Sequence, residues 1–335
     1  RSLADEGGTL PHSALETVAL KRFWPLMEQI GVLQAQDGAW LLAPQGTLPP
    51  LSEIVAGIIE DDSGWSAECT MLLNAAEQIR LLSSDGPTEG REMPPWHSAA
   101  TIEQFQSSSP LARAQISALA AAVRSALEVA AAERPFRILQ IGGNSGLVRE
   151  LSSLLDRPNI QLVVAEADLR SLARLQSQWQ GKPGLEFVGI RQDLDDLRGR
   201  APFDVVVAAN ALSRAPVGSS LMPALRTVLA NRALLLISER EPDLFHEVVS
   251  TDGDDEALRL RDSGAWQEAL QAAGFEVSPG SEHGEALPGA CFLLAEWNSD
   301  LAERPETRSP TEEEQRAIFI LGQAGKSKAR LETML

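Results

Sequence analysis

The chain predicts an α/β protein: a Rossmann-like sheet with helices on both faces, preceded by a mostly helical cap subdomain. Three observations carry that prediction. From Arg137 onward, short runs that are apolar on both faces alternate with helix-length amphipathic segments, the pattern of a parallel sheet covered on both sides. The first run passes into a glycine-rich turn and then a helix, RILQIGGNSGLV (137–148). Before residue 84, apolar residues recur at helical spacing instead.

The elements follow in order. In the cap, Leu15, Val18, Leu20 and Phe23, then Leu26, Met27, Ile30 and Leu33 leading into DGAW, then 54–59, then CTMLLNAAEQIRLL (69–82) each place apolar residues on one helical face. The polar, proline-bearing SSDGPTEGREMPPWH (83–97) reads as an exposed loop. In SPLARAQISALAAAVRSALEVAAAE (109–133), Ile116, Leu119, Val123 and Leu127 share the buried face of a packing helix. The alternating region then gives strand RILQIG, helix 147–155, strand QLVVAEA (161–167), helix 169–179, strand LEFVGI (185–190) and strand FDVVVAAN (203–210). Helix 221–229, strand ALLLIS (233–238), helix 264–273 and a closing pair, FEVSP and CFLLAEW (291–297), complete it. Expected boundaries are 1–108 for the cap, 109–298 for the core and 299–335 for an acidic linker or docking tail. That tail starts proline-bearing and ends in the apolar cluster Ile318, Phe319, Ile320 and Leu321.

Composition narrows the partners. With 44% apolar and 23% charged residues, the 335 residues suffice for a globular protein of two ordinary domains. A formal net charge of -18 excludes nucleic acid and anionic membrane surfaces as expected partners, because phosphate would be repelled. The two cysteines, Cys69 and Cys291, stand far apart, so neither a disulfide framework nor a zinc site is legible, and a reducing cytoplasm fits. Apolar runs are strand-sized and no signal peptide is visible, so the expectation is a protein neither secreted nor membrane-spanning. The start at Arg1, without methionine, reads as a domain of a longer chain.

Open α/β sheets bind ligands at the carboxyl ends of their strands. There, Gly142, Gly143 and Gly146 let backbone approach a ligand without a Cβ, and Asn144 is the residue besides glycine best suited to positive φ. Glu166, at the end of the next strand, is placed to accept both hydroxyls of a ribose. Asp193, after the third strand, can accept from an adenine amino group, with Asp195 and Asp196 as rivals. These residues together outline a nucleoside site.

Residues 14–297 resemble the methyltransferase domain embedded in type I polyketide synthases. The likeness rests on FWPLMEQIGVLQAQDGAW, TIEQFQSSSPLARAQ, RILQIGGNSG, FDVVVAANALSR, LLLISE and WQEALQAAGFEV in that order, and on the closing pair, which looks like the hairpin of a class I methyltransferase sheet. The resemblance implies S-adenosylmethionine as cofactor, methylation of the α-carbon of a β-ketoacyl chain on acyl carrier protein, and neighbouring synthase domains as partners. It implies Asn210 and Phe105 at the cofactor, the latter where the family has tyrosine. Of the family's histidine and glutamate pair that removes the α-proton, Glu239 is present, with Glu241 as rival, while the histidine position holds Ser213. A serine hydroxyl is a poor base near neutral pH, whereas imidazole titrates there. The family's PGG turn reads NRA (231–233), and its downstream glycine and tryptophan pair is absent.

Replacement bases are few: His246, His97, His12 and His283 are the histidines, none within a motif. Two function classes therefore stand: an S-adenosylmethionine-dependent C-methyltransferase, or a degenerate pseudo-methyltransferase with a structural role in the synthase. Methylation of a β-hydroxyl oxygen is a third reading that still needs a base. A dinucleotide oxidoreductase fits less well, because the cap and closing pair follow the methyltransferase pattern.

Overall fold

The computed structural model describes residues 9–10, 27–28, 31–36, 39–42, 49–84, 97–130, 134–157, 159–191, 194–213, 221–249, 260–278 and 289–298. The chain forms two compact units, one comprising residues up to Phe105 together with Pro242–Asp254, the other Gln106–Glu241 and the residues from Asp255 onward. The division thus falls inside a helix, and the first unit takes back a segment from beyond the sheet's fifth strand.

In the first unit, β1 (Thr9–Leu10), β2 (Leu33–Gln36) and β3 (Ala39–Leu42) form an antiparallel sheet of order β1-β3-β2. Leu33, expected to continue a helical run, opens β2 instead. Gln36 pairs with Ala39 across Asp-Gly, the dipeptide that favours a two-residue hairpin over a helix. Helices α1 (Leu51–Asp61), α2 (Ser66–Ser84) and α3 (Ala99–Ser108) follow, and most of the proline-bearing loop expected at 83–97 lies outside the described residues. Ala67, Met71 and Ala75 of α2 pack with Phe105 of α3 and with Val249 of the returning helix Leu244–Val249, which is α8 in chain order.

The second unit opens with α4 (Pro110–Val129). Ser109 caps it by accepting from the Ala112 N–H at 3.2 Å, and Pro110 occupies the first helical position, where its missing N–H costs nothing. The sheet consists of β4 (Phe136–Ile141), β5 (Ile160–Glu166), β6 (Leu185–Gly189), β7 (Phe203–Ala209), β8 (Leu229–Arg240), β9 (Glu276–Val277) and β10 (Ala290–Trp297). Between them run α5 (Ser145–Ser152), α6 (Leu169–Gln178), α7 (Leu221–Leu225) and α9 (Ser263–Ala272). The strand order is β6-β5-β4-β7-β8-β10-β9, with β6 to β8 mutually parallel and β10 antiparallel to both of its neighbours. The expected Rossmann-like sheet and closing pair are present.

Period-two alternation divides the strand residues between two cores. Leu139, Ile141, Val163, Ala165, Val206, Ala208, Leu235 and Ile237 face a layer containing Leu225, Trp266 and Leu270. Ile138, Leu162, Val164, Val205, Val207 and Leu236 face Ile116, Leu119, Val123, Leu147 and Leu151 of α4 and α5. Each fully buried leucine contributes about 1.5–3 kcal/mol relative to exposure, and both faces are so covered. The order reverses between β4 and β7, and the space above their carboxyl ends is where such sheets accept ligands.

In the second unit, two elements depart from expectation. The helix expected at 221–229 stops at Leu225, and Leu229 begins β8 by pairing with Phe203. Apolar spacing at 221, 225 and 229 mimics a helix there, but strand pairing prevails. The register then shifts to Val205 with Leu234 across Arg232, which sits at φ 62°, the left-handed conformation that glycine adopts without strain. The helix expected at 147–155 starts earlier, at Ser145, and ends at Ser152 in a tighter turn, Ser153–Asp156.

Candidate functional site

The site is built where β4 ends. Gly142 has φ 85°, and its N–H donates to the Ala165 carbonyl at 2.8 Å, so the turn stays tied to β5. A Cβ on Gly142 would lie 2.6 Å from that of Ala211, and one on Gly143 would lie 2.7 Å from Oε2 of Glu166. Close approach and positive φ therefore require glycine at 142, while a Cβ at 143 would have to displace the Glu166 carboxylate. Gly146, already inside α5, would collide with Ile116 Cδ1 at 2.7 Å and the Ser107 carbonyl at 2.9 Å. Glycine here lets α5 pack closely on Ile116 of α4 and on the Ser107 carbonyl.

Asn144 corrects the expectation of a positive φ. Its φ is -70°, and its side chain caps α5 by accepting from the Leu147 N–H at 3.0 Å while donating to the Gln106 carbonyl at 2.8 Å. An extended residue with a short acceptor is what a helix N-terminus needs, and Gly142 supplies the left-handed turn instead. Beneath the turn, Gln140 donates from Nε2 to the carbonyls of Gly142 at 2.9 Å and Asn144 at 3.1 Å.

Glu166 is 8% exposed, and its carboxylate accepts from the Gly143 N–H and, at 2.8 Å, from the Asp168 N–H. The turn and the acid are thus joined directly. Asp168 caps α6, and the Ser171 hydroxyl, followed by backbone N–H groups, holds its carboxyl below the usual range. Asp193 lies outside the described residues.

A second turn, 210–213, follows β7. Asn210 takes φ 51° and is buried, and its amide is directed to Gln115 on α4. This amide, which the resemblance implies at a cofactor, donates to Gln115 Oε1 at 2.9 Å. Glu239 is fully buried and accepts from the N–H groups of Ala211 and Leu212, both at 2.9 Å, and of Ser213 at 3.3 Å. The Ser213 hydroxyl bonds the same carboxylate. Burial pushes this carboxyl above the usual range, against the opposing effect of those four donors. Its rival, Glu241, instead accepts from the Ser263 N–H at the start of α9, at 3.2 Å. The structure therefore pairs Ser213 with Glu239.

Phe105 is buried in the first unit, its ring 5.5 Å from that of Phe245. His97, also buried there, bonds the Val249 carbonyl through Nε2 at 2.7 Å, which makes it a brace for α8. His246 lies on α8, its N–H donating to Asp243 at 2.6 Å, while His12 and His283 fall outside the described residues. The residues that sequence reasoning missed are Gln115, Gln140 and Ser238, all fully buried. The signal was available: each is a polar residue set in an apolar stripe or strand.

The residues present fit a nucleoside cofactor. Gly142 and Gly143 let Ala211 and Glu166 approach the turn more closely than a Cβ would allow, and the two oxygens of the Glu166 carboxylate each hold one N–H and keep lone pairs for further donors. The seven-stranded order with its antiparallel closing pair is that of a class I methyltransferase sheet. Neither a family model nor a curated relative matches the chain. Among solved structures, it is similar to the CurJ carbon methyltransferase, with TM-score 0.64 and 19% identity over 87% of this chain and 82% of that one. It is likewise similar to the DszA carbon methyltransferase, with TM-score 0.62 and 17% identity over 88% and 84%. The CMeT domain of the citrinin polyketide synthase gives TM-score 0.63 and 14% identity over 82% and 78%. At these identities the likeness is one of fold, and the fold is that of these carbon methyltransferases.

Proposed function

We propose that the chain is the methyltransferase-type domain of a type I polyketide synthase, that it keeps a nucleoside-binding end, and that it has lost α-carbon methylation. When bound, S-adenosylmethionine supplies an electrophilic methyl group. Glu166 would hold its ribose hydroxyls and the turn 142–144 would line its path, as the fit above supports. Transfer to carbon also needs a base for the α-proton, and Glu239 is engaged otherwise. Its carboxylate, which in the resembled family orients an imidazole, is bound to the turn 210–213 by three backbone N–H groups and a hydroxyl. It caps that turn, and Ser213 offers no group that titrates near neutral pH. The domain's partners on this reading are acyl carrier protein and neighbouring synthase domains, with a structural role in the synthase.

The test is a calorimetric titration with S-adenosylhomocysteine paired with an intact-protein mass assay on β-ketoacyl carrier protein supplied with S-adenosylmethionine. Binding without a methyl mass gain is expected. A methyl gain by the unmodified domain overturns the loss of activity, and failure to bind at millimolar ligand overturns the nucleoside site.

A further inference from the structure

Gln115 is a fully buried primary amide in the apolar face of α4, beside Ile116 and Leu119. A buried amide persists only if its polar atoms are satisfied, and this one is satisfied entirely by the wall of the site. Its Nε2 donates to Asn210 Oδ1 at 3.3 Å and Ser238 Oγ at 3.0 Å, and its Oε1 accepts from Asn210 Nδ2 at 2.9 Å. The Ser238 hydroxyl passes on to the Cys291 carbonyl at 3.1 Å, and the Asn210 N–H donates to the Ser238 carbonyl at 2.9 Å. One side chain from α4 thus grips the first residue of the turn 210–213 and the residue before Glu239.

The grip matters because that turn has no slack. Asn210 is in the left-handed region, and the next residue, Ala211, abuts the glycine turn so closely that a Cβ on Gly142 would lie 2.6 Å from it. Left-handed backbone outside glycine is unfavourable and persists where surrounding contacts hold it. Gln115 is that contact for Asn210. We propose that Gln115 is a positioning residue for the nucleoside site: through Asn210 it sets the turn 210–213 against Gly142, and so fixes how the two turns meet. This rests on the reading of the site as a nucleoside site.

The experiment compares Gln115→Met, which conserves volume and removes the amide, with Asn210→Gly, which tolerates the left-handed backbone and removes the side chain, and with the double variant. Amide hydrogen exchange at 211–213 and S-adenosylhomocysteine affinity are read on each. Gln115→Met is expected to speed exchange at 211–213 while β4 keeps its protection, and to weaken binding by roughly tenfold, with the double variant no weaker than the weaker single one. Unchanged exchange at 211–213 in Gln115→Met overturns the proposal, as does an additive double variant. Should the methionine variant not fold, Asn210→Gly gives the same reading from the other end of the contact. If the wild type binds no ligand, the nucleoside reading fails on its own, and the exchange data alone decide whether Gln115 positions the turn.

Discussion

Glu239 is a carboxyl without solvent whose hydrogen-bonding capacity is spent on one turn. Burial holds it above the ordinary glutamate value of about 4.3, so the folded chain keeps this proton to higher pH than the unfolded chain does. Its contribution to stability is therefore fully present below the unfolded value and is lost as pH rises through the folded one. The uncharged Glu239→Gln variant has no such loss, so its melting temperature relative to wild type should climb as pH is raised from about 4 to 8. A gap that moves the other way would show that the four donors outweigh burial. Glu166 differs because both its partners, the Gly143 and Asp168 N–H groups, belong to the proposed nucleoside end. Glu166→Ala removes an acceptor worth about 1.5–3 kcal/mol to a hydroxyl donor and should weaken S-adenosylhomocysteine at least tenfold by calorimetry. Wild-type affinity in that variant would remove Glu166 from the site.

Among the elements, α5 shows how tightly the site is backed. Alanine inside a helix is favoured over glycine by about 1 kcal/mol, yet at Gly146 its methyl would meet a movable Ile116 terminus and an immovable Ser107 carbonyl. Overpacking of this kind costs about 1–3 kcal/mol, so Gly146→Ala should lower the denaturation midpoint, and adding Ile116→Val should recover only part of it. Full recovery would mean that the backbone contact yields. The strands of the large sheet were legible because each is a bounded apolar run, and the glycine turn with Glu166 was legible because its residues are close in sequence. Leu33 and Leu229 were misread for a common reason: three or four apolar residues satisfy two periods, and only pairing with Leu42 or Phe203 decides between them. Asn144 was legible as a turn residue but not as a cap, since a cap is defined by the helix that follows it. Gln115 could be seen as a polar residue on an apolar stripe, while its partners, 95 and 123 residues away, could not.

At the scale of the whole molecule the governing quantity is charge. A formal -18 at pH 7 makes the compact state repel itself, while exposed pairs such as Lys182 with Asp156 and Arg191 with Asp196 add only about 0–1 kcal/mol each. Salt weakens both, but it acts on them unequally. The repulsion sums over many distant charges and falls steeply as the Debye length drops from about 30 Å at 0.01 M to about 10 Å at 0.1 M, whereas pairs in contact lie well inside either length. Repulsion should therefore be the larger loss, and sodium chloride should raise the melting temperature over that range at pH 7. The same titration near pH 5, close to the pI of 4.7, separates screening from any general effect of salt, because little net charge is left to screen. The gain should shrink there. A gain of equal size at both pH values would place the stabilisation in ion-specific binding, and a fall in melting temperature at pH 7 would mean that the contact pairs dominate the acidic surface.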